Sequence, residues 1–203
     1  MRIIGGTARG RKLNTPEGQD IRPTSDKVRS AIFNALFSRG GVVDAVVMDA
    51  FCGTGALGLE ALSQGASACY FFDHSKVSLN LAKQNAADLG LMDGAHFAQK
   101  DATKLGERPS SMPPATILFL DPPYRKGLIQ PTLDALRTGN WLANGAIIVI
   151  ETEKEADHPK KQTVPGKKGV HCAIQSQEDD VQSEELQSNR GDPGSTGRSV
   201  CMS

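Results

Sequence analysis

Aromatic residues are missing from the last part of this sequence: all ten Phe, Tyr and Trp lie before residue 142, and residues 154–203 contain none. The same segment has only eleven residues of the Ala, Val, Ile, Leu, Met, Phe, Trp, Tyr and Cys set, scattered among Ser, Gln, Gly, Pro and charge. Such a composition cannot bury enough apolar area to offset the entropy of ordering. Residues 154–203 are therefore expected to form an atypical polar, disordered tail, and the folded unit to end near Glu153. Net charge is also absent, with 23 basic residues balancing 23 acidic ones, so bulk electrostatics makes no case for a nucleic-acid partner. The four cysteines, Cys52, Cys69, Cys172 and Cys201, form no C-x-x-C pair and have no metal-ligand spacing, which argues against a zinc site and for reduced thiols. No apolar run is long enough to span a bilayer, and the opening Met-Arg-Ile-Ile-Gly-Gly is too short for a signal peptide, so a cytoplasmic protein is expected. Internal repeats are absent, and 203 residues suffice for one core.

Before residue 154, apolar runs alternate with helical periods. Val46 to Phe51 reads as a buried strand that ends in glycines, followed by Ala56, Leu57, Leu59, Ala61 and Leu62 at helical spacing. Ala68 to Asp73 is a second strand, after which Ser75 can cap a helix bearing Val77, Leu81 and Leu89 that stops at Gly90. Residues 95–100 form a weaker third strand, Thr116 to Leu120 a fourth and Ala146 to Ile150 a fifth, with a helix over about 127–138 between the last two. Strands buried on both faces and separated by helices predict an α/β fold with a doubly wound, mainly parallel, Rossmann-like sheet whose ligands bind beyond the carboxyl ends of the strands. Ahead of it, residues 1–40 read as a small arm with glycine turns and a helix capped by Thr24 that turns Val28, Ile32, Ala35 and Leu36 to one face. The expected organisation is thus an arm and helix over 1–40, a core over 41–153 and the tail over 154–203.

Asp49 to Gly58 contains G-x-G-x-x-G, where absent side chains let the backbone approach a ligand. A strand-to-helix turn that uses glycine only for packing would read the same way. Asp49 separates the two cases, because a carboxylate there would repel a pyrophosphate but suits the net-cationic S-adenosylmethionine. This also disfavours a nicotinamide-dependent oxidoreductase, for which no hydride-transfer site is evident. Asp73, twenty positions after Gly53, stands where an acid can accept ribose hydroxyls. Asp101, followed by Ala102, can accept from an adenine amino group or cap a helix, and the sequence leaves both readings open.

Asp121-Pro122-Pro123-Tyr124 follows the fourth strand, which lies next to the first in a doubly wound sheet. An exocyclic base amine is a poor nucleophile because its lone pair is delocalised into the ring. Two acceptors facing its hydrogens, the Asp121 carboxylate and the Pro122 carbonyl, favour a pyramidal nitrogen, while the prolines fix that carbonyl outward and Tyr124 offers a stacking face. Taken alone, the tetrad could be a rigid turn. Behind an Asp-x-x-x-Gly-x-Gly loop it points to methyl transfer onto a base amine.

These residues resemble the RsmD-type methyltransferases, which methylate guanine N2 in bacterial small-subunit ribosomal RNA. The resemblance covers roughly residues 1–153 and rests on Arg2-Ile3-Ile4-Gly5-Gly6 with Arg9-Gly10, on Arg22-Pro23-Thr24 with Val28-Arg29 and Phe33-Asn34, on Asp49 to Gly55, and on Asp121 to Tyr124. It implies a class I methyltransferase fold with S-adenosylmethionine lined by Thr24, Asp49, Phe51, Gly53, Gly55, Asp73, Asp101 and Ala102. Asp121, Pro122, Pro123 and Tyr124 would hold the guanine. Arg2, Arg9, Arg11, Lys12 and Arg22 would contact RNA phosphates, in a segment where seven basic residues face three acidic ones up to residue 30. The partner implied is small-subunit ribosomal RNA or the assembling subunit, with no metal, no membrane and a monomeric enzyme.

The resemblance stops after the fifth strand. Members of this fold continue with a helix and an antiparallel strand pair, whereas here Glu151-Thr152-Glu153-Lys154 enters the polar tail, in which Gly169 to Ile174 is the one strand-like remnant. The tail reads as non-homologous, as a shifted reading frame would produce, and the fifth strand is expected to be an exposed hydrophobic edge. Two other functions stay open on sequence grounds: an amino-methyltransferase acting on DNA or protein, and a non-catalytic RNA-binding protein on the same scaffold.

Overall fold

The computed structural model of the protein describes residues 1–15, 26–123, 126–152 and 199–202. The apolar runs form strands β1 (Val46–Asp49), β2 (Ala68–Asp73), β3 (Ala95–Gln99), β4 (Ala115–Leu120) and β5 (Leu142–Thr152), and a short β6 (Ser199–Met202) follows. Helix α1 (Asp26–Phe37) precedes β1, helices α2 (Ala56–Ser63), α3 (Lys76–Leu89) and α4 (Ile129–Thr138) connect strands, and a 3-10 turn at Ala102–Lys104 follows β3. The sheet order is β3-β2-β1-β4-β5-β6, and β1 to β5 pair in parallel. From β1 the chain moves outward through β2 to β3, then returns to β4 on the other side of β1. The strand order therefore reverses between β1 and β4, and this opens a crevice at their carboxyl ends.

The alternation of side chains along each strand divides the core into two layers. Val47, Cys69, Phe71, Ile117, Phe119 and Val149 face α1, α2 and α3. Met48, Tyr70, Phe72, Leu118, Leu120, Ile148 and Ile150 face the opposite side, where Leu136 of α4, Ala102, Leu105 and Trp141 cover them. Phe33 of α1 meets Phe119 of β4 with ring centroids 5.9 Å apart, which seats α1 against the sheet beside the switch point. Every residue of α2 is buried, because it lies between the sheet and the amino-terminal arm.

Helix α3 begins at Ser75, whose side chain accepts from the Ser78 N–H at 3.3 Å, and ends at Gly90 in the left-handed conformation. Its buried face differs from the expectation. Val77 is 76% exposed, and Leu79, Ala82, Asn85 and Ala86 join Leu89 on the buried face, which at 3.6 residues per turn lies on the far side of the helix from Val77.

The arm is a hairpin folded onto the core. Arg2 and Lys12 form an antiparallel bridge, the Ile3 N–H donates to the Arg11 carbonyl at 3.0 Å and the Gly10 N–H to the Ile3 carbonyl at 2.8 Å. Ile3, Ala8 and Leu13 are buried in the α1–α2–α3 layer.

The edge of β5 is covered, contrary to the expectation of an exposed strand. β6 pairs with it antiparallel, matching Val149 with Met202, Ile150 with Cys201, Glu151 with Val200 and Thr152 with Ser199. A segment as short as four residues can occupy the edge because its main chain supplies the ladder bonds whatever its side chains. The strand-like remnant at Gly169 to Ile174 lies outside the described residues. Among the described residues no helix is long and apolar enough to cross a membrane.

Candidate active site

Four carboxylates stand at or just beyond the carboxyl ends of four adjacent parallel strands: Asp101 after β3, Asp73 ending β2, Asp49 ending β1 and Asp121 after β4. Register fixes their relative heights. Asp49 pairs with Phe71 on one side and with Phe119 on the other, so Asp73 and Asp121 both lie two residues further along, level with Phe51 where β1 becomes the loop. The Ala50 N–H donates to the Phe119 carbonyl at 3.1 Å and the Cys52 N–H to the Phe72 carbonyl at 3.0 Å, which ties the loop between its two neighbours.

The glycine loop is built for close approach. Gly53 and Gly55 both have positive φ, at 52° and 79°, and a Cβ on Gly53 would meet nothing within 4 Å. Gly58 serves packing: a Cβ there would lie 2.3 Å from Cε1 of Phe71 and 2.6 Å from Sγ of Cys69, so α2 can approach β2 only without a side chain. Asp73 holds the loop, accepting from the Gly53 N–H at 3.0 Å and from the Ser75 N–H at 2.8 Å while only 7% exposed.

Asp49 is 2% exposed and accepts from the Gly58 N–H at 3.1 Å. Burial pushes its carboxyl up to about 7; the Gly58 hydrogen bond opposes this rise and the Asp73 charge adds to it. A carboxylate placed where its charge is disfavoured would be stabilised by an incoming cation. Burial first, and the neighbouring acids second, also push the Cys52 and Cys69 thiols well above their ordinary range. Both stay protonated, so neither is a nucleophile.

Asp101 caps the 3-10 turn, accepting from the Thr103 N–H at 3.0 Å and the Thr103 hydroxyl at 2.6 Å. Those bonds hold its carboxyl below the usual range. The capping role is therefore realised, with the carboxylate half exposed at the β3 end of the crevice. The Ala102 methyl is buried in the second core layer, which leaves its main chain as the part that can face a ligand. Phe51 is half-buried against the same layer. Asp121 is half-buried, Pro122 buried and Pro123 exposed, so the turn leaves the sheet at Asp121. Thr24, Arg22 and Tyr124 lie outside the described residues.

Of the basic arm residues, Arg2, Arg9, Arg11 and Lys12 are all exposed. Arg2 is used within the hairpin, donating to the Gly10 carbonyl at 2.7 Å. Arg11 caps the carboxyl end of α3, donating to the Leu89 carbonyl at 2.9 Å and to the Asp88 carbonyl. Arg2 and Arg11 thus spend part of their guanidinium donors on main-chain partners within the protein.

Sequence reasoning missed the residues that hold the arm. Glu60, fully buried in α2, accepts the Ile4 N–H through Oε2 and the Gly5 N–H through Oε1, both at 2.8 Å, with the buried Arg29 guanidinium 3.8 Å away. Ser63 accepts from the Ala8 N–H at 2.9 Å and donates to the Gly5 carbonyl at 2.6 Å. One signal was available: Glu60 interrupts the otherwise apolar run of α2, and an acid there requires partners. Among the described residues no group of three or more His, Cys, Asp and Glu could hold a metal ion.

Comparison with known proteins agrees with this geometry. The family described as conserved hypothetical protein 95 matches residues 1–167, past residue 153 where the motif resemblance ends. Ribosomal RNA small subunit methyltransferase D of Escherichia coli strain K12 is 36% identical over 171 residues, covering 84% of this chain and 82% of that protein. The protein of the same name from Haemophilus influenzae is 34% identical over 156 residues, covering 76% of this chain and 80% of its own. The solved structure of yhhF from Escherichia coli superposes with a TM-score of 0.71 at 32% identity, covering 100% of this chain and 96% of that one. TrmN from Thermus thermophilus, at 22% identity and a TM-score of 0.56 over 86% of this chain and 47% of its own, shares the fold alone. The match runs through the arm, the glycine loop and the Asp121-Pro122-Pro123 turn on one Rossmann-like class I methyltransferase sheet, and the chain belongs to the RsmD-type methyltransferase family.

Proposed function

We propose that this protein transfers a methyl group from S-adenosylmethionine to the exocyclic N2 amine of a guanine in small-subunit ribosomal RNA. The observation that carries the proposal is the register across β1 and β4: it sets the Asp121-Pro122 turn directly beside a glycine loop backed by the buried carboxylate of Asp49. The names of the bacterial relatives favour ribosomal RNA as the substrate, and the choice of guanine N2 rests on the family resemblance of the arm and α1.

The residues fit the cofactor. Open space above Gly53 admits a ligand against the main chain, and Asp49 would face its cationic amino group. Each Asp73 oxygen accepts one main-chain N–H and retains acceptor capacity for a ribose hydroxyl. Asp101 and the main chain of Ala102 would border the adenine, and Thr24 the methionine end. When bound, S-adenosylmethionine supplies an electrophilic methyl group on its sulfonium.

The chain's own residues prepare the acceptor. The Asp121 carboxylate and the Pro122 carbonyl take the two hydrogens of the amine, which holds the nitrogen in place and draws its lone pair out of conjugation. The amine becomes acidic only after it gains the methyl group, so Asp121 orients first and a strong base is not needed. Tyr124 would provide the face on which the guanine stacks, and Arg9 and Lys12 would hold phosphates.

The proposal is tested by incubating the protein with labelled S-adenosylmethionine and undermethylated small ribosomal subunits, then mapping the modified nucleotide. Label on guanine N2 is expected. Label on another base or on protein would overturn the specificity, and cofactor binding without any transfer would favour an RNA-binding role on the same scaffold.

A further inference from the structure

Asn85 lies in the middle of the buried face of α3, 1% exposed, where its neighbours on that face are Ala82, Ala86 and Leu89. Its amide is engaged on three sides. Nδ2 donates to the Thr54 carbonyl at 2.9 Å and to the Asn14 carbonyl at 3.1 Å, while Oδ1 accepts from the Asn14 N–H at 2.8 Å. Both main-chain groups of Asn14 are thus held by one side chain, much as a neighbouring strand would hold them. The remaining amide hydrogen goes to the residue between Gly53 and Gly55.

A buried amide is tolerated where its partners are complete, and each partner removed leaves a group desolvated without compensation. The other contacts of the arm end on scaffold: Arg11 and the Asn14 side chain on the end of α3, and the Ile4 and Gly5 N–H groups on Glu60. Asn85 differs because it joins the arm to the loop itself. If the arm lifts, Oδ1 and one Nδ2 hydrogen lose their partners and the amide is free to turn away from Thr54. The loop then loses a fixed point between two glycines whose positive φ values make it easy to deform.

We propose that Asn85 is a positioning residue that couples seating of the amino-terminal arm to the shape of the cofactor loop, so that each state favours the other. The idea rests on the cofactor reading given above. By linkage the effect is reciprocal: a seated arm tightens S-adenosylmethionine binding, and bound cofactor holds the arm down. Phosphates gripping the exposed Arg9 and Lys12 would then raise cofactor affinity without touching the loop.

The test is a double-mutant cycle read by titration calorimetry with S-adenosylmethionine and no RNA. Asn85→Asp keeps the shape of the side chain and the acceptor for Asn14 but removes both donors. It is expected to weaken cofactor binding about tenfold, equivalent to ~1.4 kcal/mol. Arg11→Ala loosens the arm at the end of α3; it should weaken binding about threefold in the native background and add nothing once Asn85→Asp is present. Simple additivity, or native affinity in Asn85→Asp, overturns the coupling. Hydrogen exchange on the native protein gives a readout that needs no variant: the Ile4, Gly5, Ala8 and Asn14 amides, whose acceptors lie on Glu60, Ser63 and Asn85 beneath the arm, should exchange more slowly when cofactor is added. Exchange indifferent to bound cofactor overturns the proposal even if Asn85→Asp fails to fold. A native protein that binds no S-adenosylmethionine would overturn the cofactor reading instead.

Discussion

Replacing Asp49 by Asn should make the unliganded protein more stable and cripple it at once, because the same buried charge opposes folding and attracts the cofactor. The folded carboxyl titrates near 7, against 3.8 for an unperturbed one, chiefly through desolvation. Between those two values the folded state binds more protons than the unfolded chain, so this group's contribution to stability falls as pH rises through the window. Above pH 7 the native protein holds a buried carboxylate at a penalty of about 4 kcal/mol, taking ~1.4 kcal/mol for each tenfold step in proton affinity. Asp49→Asn removes that charge and keeps an oxygen to accept the Gly58 N–H. At pH 8 the variant should melt roughly ten degrees higher than the native protein, and the gap should close as pH approaches 4. Cofactor affinity should move the other way. One pH unit below its midpoint about a tenth of Asp49 is ionised, so the apparent dissociation constant for S-adenosylmethionine should rise about tenfold from pH 8 to pH 6. In Asp49→Asn binding should be weak and show no such pH dependence. Thermal melts and calorimetric titrations across this range decide the matter: a flat native pH profile, or an Asn variant that melts no higher at pH 8, refutes the reasoning.

Asp121→Ala should abolish methyl transfer to small subunits while leaving the S-adenosylmethionine dissociation constant within about twofold, since its role is to orient the acceptor; near-normal turnover would sink the mechanism. Glu60→Ala removes one of the two carboxylates beside the buried Arg29 guanidinium, Asp26 remaining at 2.8 Å, and leaves the Ile4 and Gly5 N–H groups without their acceptor, so denaturant unfolding should show a loss of about 2–4 kcal/mol; a loss below about 1 kcal/mol would show that the arm is held elsewhere. Gly58→Val drives side-chain carbon into Phe71 and Cys69, and a destabilisation of at least about 1–3 kcal/mol is expected from urea titration. Arg9→Ala combined with Lys12→Ala should weaken binding to ribosomal RNA and lower the slope of log affinity against log salt by about 2, as filter binding at several salt concentrations would show; an unchanged slope removes both residues from the interface.

The sequence by itself determined the five parallel strands and the main stations of the candidate site. Strand runs at 46, 68, 95 and 116 appear where apolar periodicity places them, because a strand buried on both faces must be continuously apolar. Gly53, Gly55, Asp49, Asp73 and Asp121 were legible for a related reason, since a turn or charge at a strand end is a local feature. What the sequence left open depended on contacts between distant segments. Asn85, Glu60 and Ser63 look like ordinary helix residues until the arm folds across them and supplies main-chain partners more than fifty residues away in sequence. Arg11 reads as a free basic residue until the end of α3 arrives beneath it. The pairing of β6 with β5 is of the same kind, because an edge accepts any backbone that reaches it, and local composition says nothing about which one will. Periodicity and turn chemistry act over a few residues and can be read along the chain. Hydrogen bonds that close an arm, a helix and a loop into one unit exist only after the tertiary fold has brought their donors and acceptors together.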